Sequence, residues 1–87
     1  MAVVAINSDQ PTKVRREAGQ SVTLNNQSAV DVYYDSDIAV LMPFAAGVAP
    51  TGGTKLAANS SKDIAAWPKS GVLYFRAAQA ITILVEP

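Results

Sequence analysis

Apolar and polar residues alternate with a period of two along most of this chain, the spacing of strands that bury one face. At the start, Val3 and Ala5 alternate with Val4 and Ile6. A turn over residues 9–12 follows, and residues 13–17 read as an exposed strand that ends at Gly19. Residues 21–25 put Val22 and Leu24 on one face and Thr23 on the other. Residues 29–34 put Val30, Val32 and Tyr34 together and turn Asp31 and Tyr33 away. These runs are short, β-branched or aromatic, and bounded by Asn, Ser and Asp, which is the strand signature.

The middle breaks the rhythm. Residues 38–42, IAVLM, read as either another strand or a single helical turn. Residues 43–53, PFAAGVAPTGG, hold two of the chain's five prolines and three of its five glycines, a density that excludes a helix and disfavours a paired strand. A loop this long is usually functional or disordered, yet Phe44 and Val48 make it too apolar for a disordered segment. Alternation then returns in residues 54–58, 61–67, 72–77 and 80–86. Strand 72–77 is apolar on both faces, which places it centrally, with cover on two sides. In 80–86, Ile81, Ile83 and Val85 share an uncharged face. The pattern predicts an all-β fold: a small antiparallel β-sandwich or barrel of about seven or eight short strands with one long Pro/Gly loop. No helical period of 3.6 competes with it.

Composition sharpens the picture. At 87 residues and 9.1 kDa the chain makes one domain, residues 1–87, and a domain of this size buries only about 60–65% of its unfolded surface. Cysteine and histidine are both absent, which excludes disulfides, thiol chemistry, Cys/His zinc sites and imidazole bases. Seven basic and seven acidic side chains balance, so no net field draws the chain to nucleic acid or an anionic membrane. The apolar start is too short for a signal peptide and no run approaches a membrane span, so the chain is expected to be soluble and made in a cytosol. Hydrophobic residues reach 49% while charged ones stop at 16%, against about 25% charged in an average domain. The surplus apolar surface points to contact with other chains.

Candidate chemistry is sparse. Asp31, Asp35 and Asp37 cluster, but Ala39 and Val40 occupy positions where an EF-hand loop needs a ligand and a glycine; a charged turn is the reading. Lys13, Arg15 and Arg16 form a basic run without stacking aromatics, which fits protection of an edge strand better than phosphate binding. The sequons at Asn26 and Asn59 read as polar turns. No serine lies in a nucleophile elbow, Gly52-Gly53 lacks a phosphate-loop continuation, and no carboxylate pair stands out. The expectation is no enzyme, no catalytic residue, no cofactor, no metal and no small-molecule substrate. Trp67 is either a core plug or an interface anchor, with the core favoured. Tyr33, facing away from Val30 and Val32, belongs to a second surface. Phe44 is the outward-reaching anchor, since aromatics dominate protein–protein binding energies.

Two segments carry a family likeness. Residues 53–64, GTKLAANSSKDI, and 70–86, SGVLYFRAAQAITILVE, resemble a pattern common in small virion proteins of tailed bacteriophages: a glycine and leucine open a strand, a polar turn follows, and a G-x-L-Y strand turns directly into a final alternating strand. Residues 21–34 look like the hairpin that precedes it. Where the pattern places a glycine after the Leu56 strand, this chain has Asn59-Ser60. The resemblance implies a capsid decoration (cement) or minor capsid protein on the virion surface. Its partners would be the major capsid protein and its own copies, with a trimer the expected oligomer. Interface residues expected on this reading are Phe44, Val48, Val3, Val4 and Tyr33, with strand 1–6 adding to a neighbour's sheet edge. Two rival readings remain: a tail-associated receptor- or carbohydrate-binding module using Tyr33, Tyr34 and Trp67 as stacking platforms, and a small host-directed inhibitor.

Overall fold

A computed structural model describes residues 2–86; Met1, part of the expected first strand, lies outside the described residues. The alternation resolves into eight strands: β1 (Ala2–Ile6), β2 (Thr12–Arg15), β3 (Val22–Asn26), β4 (Val32–Asp35), β5 (Thr54–Leu56), β6 (Ser60–Ile64), β7 (Val72–Ala77) and β8 (Ile81–Glu86). Residues Ile38–Leu41 form a 3-10 turn, the helical alternative for that stretch. The strands make two four-stranded sheets of order β1-β8-β3-β6 and β2-β7-β4-β5, a sandwich and not a closed barrel. Among the described residues no helix is long and apolar enough to cross a membrane.

Every pairing is antiparallel, and four of them nest: β1 with β8, β2 with β7, β3 with β6, β4 with β5. The chain is thus one long hairpin whose two arms run side by side and roll into two layers, with β3–β8 and β4–β7 pairings completing the sheets. This is a jelly roll. Its bend is the link between β4 and β5, where the Pro/Gly segment lies. The rolling also corrects two readings. Residues 21–34 are not a hairpin, and Ala78-Gln79 is not a tight reversal between paired strands. In both places the chain crosses from one sheet to the other, because each strand's partner comes from the opposite arm.

Inward positions follow the expected parity. Val22, Leu24, Val32, Tyr34, Leu73, Phe75, Ile83 and Val85 fill the space between the sheets, with Tyr34 and Phe75 stacked at 5.4 Å between ring centroids. Burial of such side chains contributes about 1.5–3 kcal/mol each relative to exposure. Trp67 follows β6 and is buried in the same core. Its backbone accepts from the Gly19 amide at 2.9 Å and donates to the Gln20 carbonyl at 2.8 Å, which anchors the indole in place. Asn59 sits at φ 56°. That left-handed conformation is one glycine takes freely and asparagine best among other residues, which suits asparagine to this turn.

Asn26 is fully buried at the end of β3 and ties the two sheets together. Its amide donates to the carbonyl of Val30 at 2.8 Å and to those of Leu56 and Ala57 at 3.3 Å, and its Oδ1 accepts from the Ser28 amide at 3.1 Å. A side chain so enclosed leaves no room for a glycan. Loss of a buried amide strands several backbone groups at about 1–3 kcal/mol apiece. Asn26→Ala is therefore expected to lower the unfolding free energy by at least about 2 kcal/mol, read from urea unfolding, whereas an unchanged midpoint would show that water replaces the amide.

Candidate functional site: an apolar loop held by a buried arginine

Strand β7 lies inside its sheet between β2 and β4. Leu73, Phe75 and Ala77 face the core, so parity sends Val72, Tyr74 and Arg76 to the outer face. Arg76 is nevertheless fully buried, because the chain after β4 folds back over it. Its Nε donates to the Leu41 carbonyl at 3.1 Å and its Nη1 to the Ala45 and Ala77 carbonyls at 3.2 and 3.3 Å. Nη1 also donates to the Ser8 carbonyl in the turn after β1, and Nη2 to the Val48 carbonyl. Among the described residues no carboxylate touches the guanidinium. Burial pushes its pKa below the ordinary guanidinium value, yet a guanidinium stays cationic. The charge is answered by carbonyl dipoles from the 3-10 turn, the loop and the β1–β2 turn. A planar fork of five donors suits that arrangement; a point-like ammonium does not.

Backbone bonds complete the clamp. The Gly47 amide donates to the Ala78 carbonyl at 2.7 Å, joining the loop to the β7–β8 crossing. Thr51 closes the loop's base, its amide at 3.0 Å and its hydroxyl at 2.9 Å from the Met42 carbonyl. The 3-10 turn starts from Asp37, whose Oδ1 accepts from the Ala39 amide at 3.0 Å. Leu41 and Pro50 are buried beneath the loop. Gly53 ends it at φ 92°, where a Cβ would come within 3.0 Å of Leu41 Cδ2 and 3.2 Å of the Tyr34 carbonyl oxygen. Only glycine fits there.

With carbonyls and base fixed inward, the apolar side chains of the segment turn outward. Ile38 is 41% exposed, Met42 51%, Phe44 38% and Val48 44%; among the described residues the fifth large exposed hydrophobic is Val3, at 68%. The expected interface residues divide between two faces. Phe44 and Val48 lie on the loop, and Tyr33, half-buried, sits on the same outer sheet face as the cross-strand neighbour of Arg76. Val3 points outward from β1, on the other sheet. Val4 faces inward and packs against the core, so at its position only the main chain lies near the sheet edge. Arg76, Ile38 and Met42 were not singled out from sequence. The signal for Arg76 was one cation inside a strand otherwise apolar on both faces.

The acidic cluster serves local structure. Asp35 Oδ1 accepts from the Asp37 amide at 2.9 Å, and Asp37 caps the 3-10 turn. Asp31 accepts from the Ala58 amide at 2.9 Å and pairs with Lys55 at 3.3 Å. Among the described residues no three acidic side chains converge as a metal site would require. An open depression of about 320 Å³ lies where β8 parts from β3, between Asn25, Gln27 and Ser28 on one side and residues 81–84 on the other; no charged or aromatic side chain lines it. Comparison of the chain with protein-family models, curated proteins and solved structures found no match.

Two tests follow from this geometry. Arg76→Lys keeps the charge but cannot reach carbonyls spread over three segments. It is expected to cost about 2–4 kcal/mol and to speed thermolysin cleavage within residues 43–53, read by mass spectrometry of the fragments; wild-type cleavage rates would show that the loop holds itself. The second concerns Asp31, whose carboxyl is held below its usual 3.8, first by the Ala58 amide and then by Lys55. A depressed folded pKa gives stability that is whole above the unfolded value and lost as pH falls through the folded one. The wild type is therefore expected to exceed Asp31→Ala in urea midpoint at about pH 6 and to match it near about pH 2. A gap that persists in acid would mean the carboxylate's charge is not what counts.

Proposed function

We propose that this chain is a non-enzymatic structural protein of a tailed-bacteriophage virion, bound to the capsid surface by protein–protein contacts through the loop that Arg76 holds. The observation carrying this reading is the concentration of exposed apolar side chains. Ile38, Met42, Phe44 and Val48 lie within eleven residues of one another, on a main chain fixed by a buried cation. A patch fixed before binding gives up little conformational entropy on docking. Phe44 is the kind of aromatic anchor around which binding energy concentrates.

The jelly roll supports the reading as an architecture shared by viral capsid proteins, although lectins use it too. A stacking platform for sugars needs open ring faces. Trp67 and Tyr34 are in the core, which leaves Tyr33 alone of the three aromatics such a module would use. The resemblance of residues 53–64 and 70–86 to small virion proteins supplies the choice of a phage.

Mass spectrometry of purified particles is expected to find the chain in many copies, and its detection only in infected-cell lysate would refute a virion role. Added back to shells stripped of it, the wild type is expected to co-sediment with them. Phe44→Ser and Val48→Ser should each weaken that binding by about tenfold or more. Loop variants that bind as the wild type does would place the contact elsewhere.

A further inference from the structure

A jelly roll leaves four strand edges open, and three of them here carry charge. β2 turns Lys13 and Arg15 outward around the buried Val14. β5 carries Lys55. β6 carries Asp63 and also Lys62, which lies opposite Leu24 in the register and so points toward the core at the open side of the sandwich. Its ammonium sits 6.0 Å from the Tyr34 ring centroid. An inward charge on an edge strand is a device that blocks stray strand pairing. β1 has none of this: its residues are Ala, Val, Val, Ala and Ile, and its outer-face neighbours on β8, Thr82 and Leu84, are uncharged.

We propose that β1 is a self-recognition edge, at which two copies of this chain pair antiparallel about a two-fold axis and join their sheets into one of eight strands. This goes beyond the capsid reading and stands on the strand edges alone. The occupant follows from charge. Pairing β1 with another copy's β2, β5 or β6 sets it beside a guarded edge, whereas β1 against β1 sets two strands without charged side chains edge to edge. The register follows from what is already taken. Thr12 Oγ1 donates to the Ala5 carbonyl at 3.1 Å, which leaves residues 2–4 as the open stretch, centred on Val3. Val3 lies opposite Leu84, so the axis builds a continuous apolar ladder of Leu84, Val3, and the same two residues of the second copy. Such a two-fold contact is self-complementary by construction. It differs from the three-fold arrangement expected from the resemblance.

The chain has no cysteine, which makes cross-linking a clean test. Directly opposed residues in an antiparallel pair have Cα atoms about 4.5–5.5 Å apart, within disulfide reach. Under mild oxidation Val3→Cys is expected to form a disulfide dimer about tenfold faster than Ser61→Cys, an exposed control on the β6 edge. Sedimentation of the wild type should approach twice the 9.1 kDa chain mass as concentration rises, with Val3→Lys raising the dissociation constant by about tenfold or more. Concentration-dependent amide protection in β1 is the independent readout. A wild type that stays monomeric throughout, equal cross-linking at the two sites, or association untouched by Val3→Lys would each overturn the proposal. Purified chain alone decides these outcomes. A Val3→Lys monomer that still binds shells leaves the capsid reading standing, and a dimer that binds no shell removes that reading without touching this one.

Discussion

A cation buried among carbonyls, with no counter-ion among the described residues, organises this molecule. A charge withdrawn from water is costly unless it is surrounded by groups that replace the hydration it lost. Around Arg76 those groups are the carbonyls of Leu41, Ala45, Val48 and Ser8, from segments far apart in sequence. The dependence runs both ways. The guanidinium tolerates burial only with the loop over it, and the loop, which has little regular hydrogen bonding of its own, keeps its shape by answering the guanidinium.

The rolled-hairpin topology makes this possible. The link between β4 and β5 is the bend of the hairpin, and it returns across the outer face of β7 rather than passing between the layers. β7 is central in its sheet, so a side chain from its outer face is well placed to collect carbonyls from a covering segment. Prolines and glycines supply the irregular path: a Cβ at Gly52 would meet the Val40 carbonyl oxygen at 3.0 Å, and one at Gly53, where φ is also positive, would meet Leu41 Cδ2 at 3.0 Å. Because polar atoms are gathered beneath the loop, apolar side chains remain on top. The exposed patch is thus a consequence of how the charge is satisfied.

Much of the fold was legible in the residues. Val22 and Leu24, Val30 to Tyr34, and Ile81 to Val85 announced both strand and facing, since a period of two fixes which side chains share a side. It does not say which strand lies next door, so the crossings at residues 27–31 and 78–80 read as hairpins. Val4 could not be assigned to a face because β1 is apolar at every position and alternation is silent there. The breaker cluster marked a long loop and its apolar content marked Phe44 and Val48. Arg76 stayed hidden because an isolated charge in a strand ordinarily points to solvent; what buries it is a covering segment some thirty residues earlier in sequence, which no local pattern reveals.

The central claim is that Arg76 holds the loop rigid before any partner arrives. Amide hydrogen exchange on the free protein tests it most directly. The amides of Gly47, Val48 and Thr51 are expected to be protected and to open together with β7, as one cooperative unit sharing its stability. Exchange of these three at the rate of an unstructured peptide, while β7 stays protected, would contradict the account.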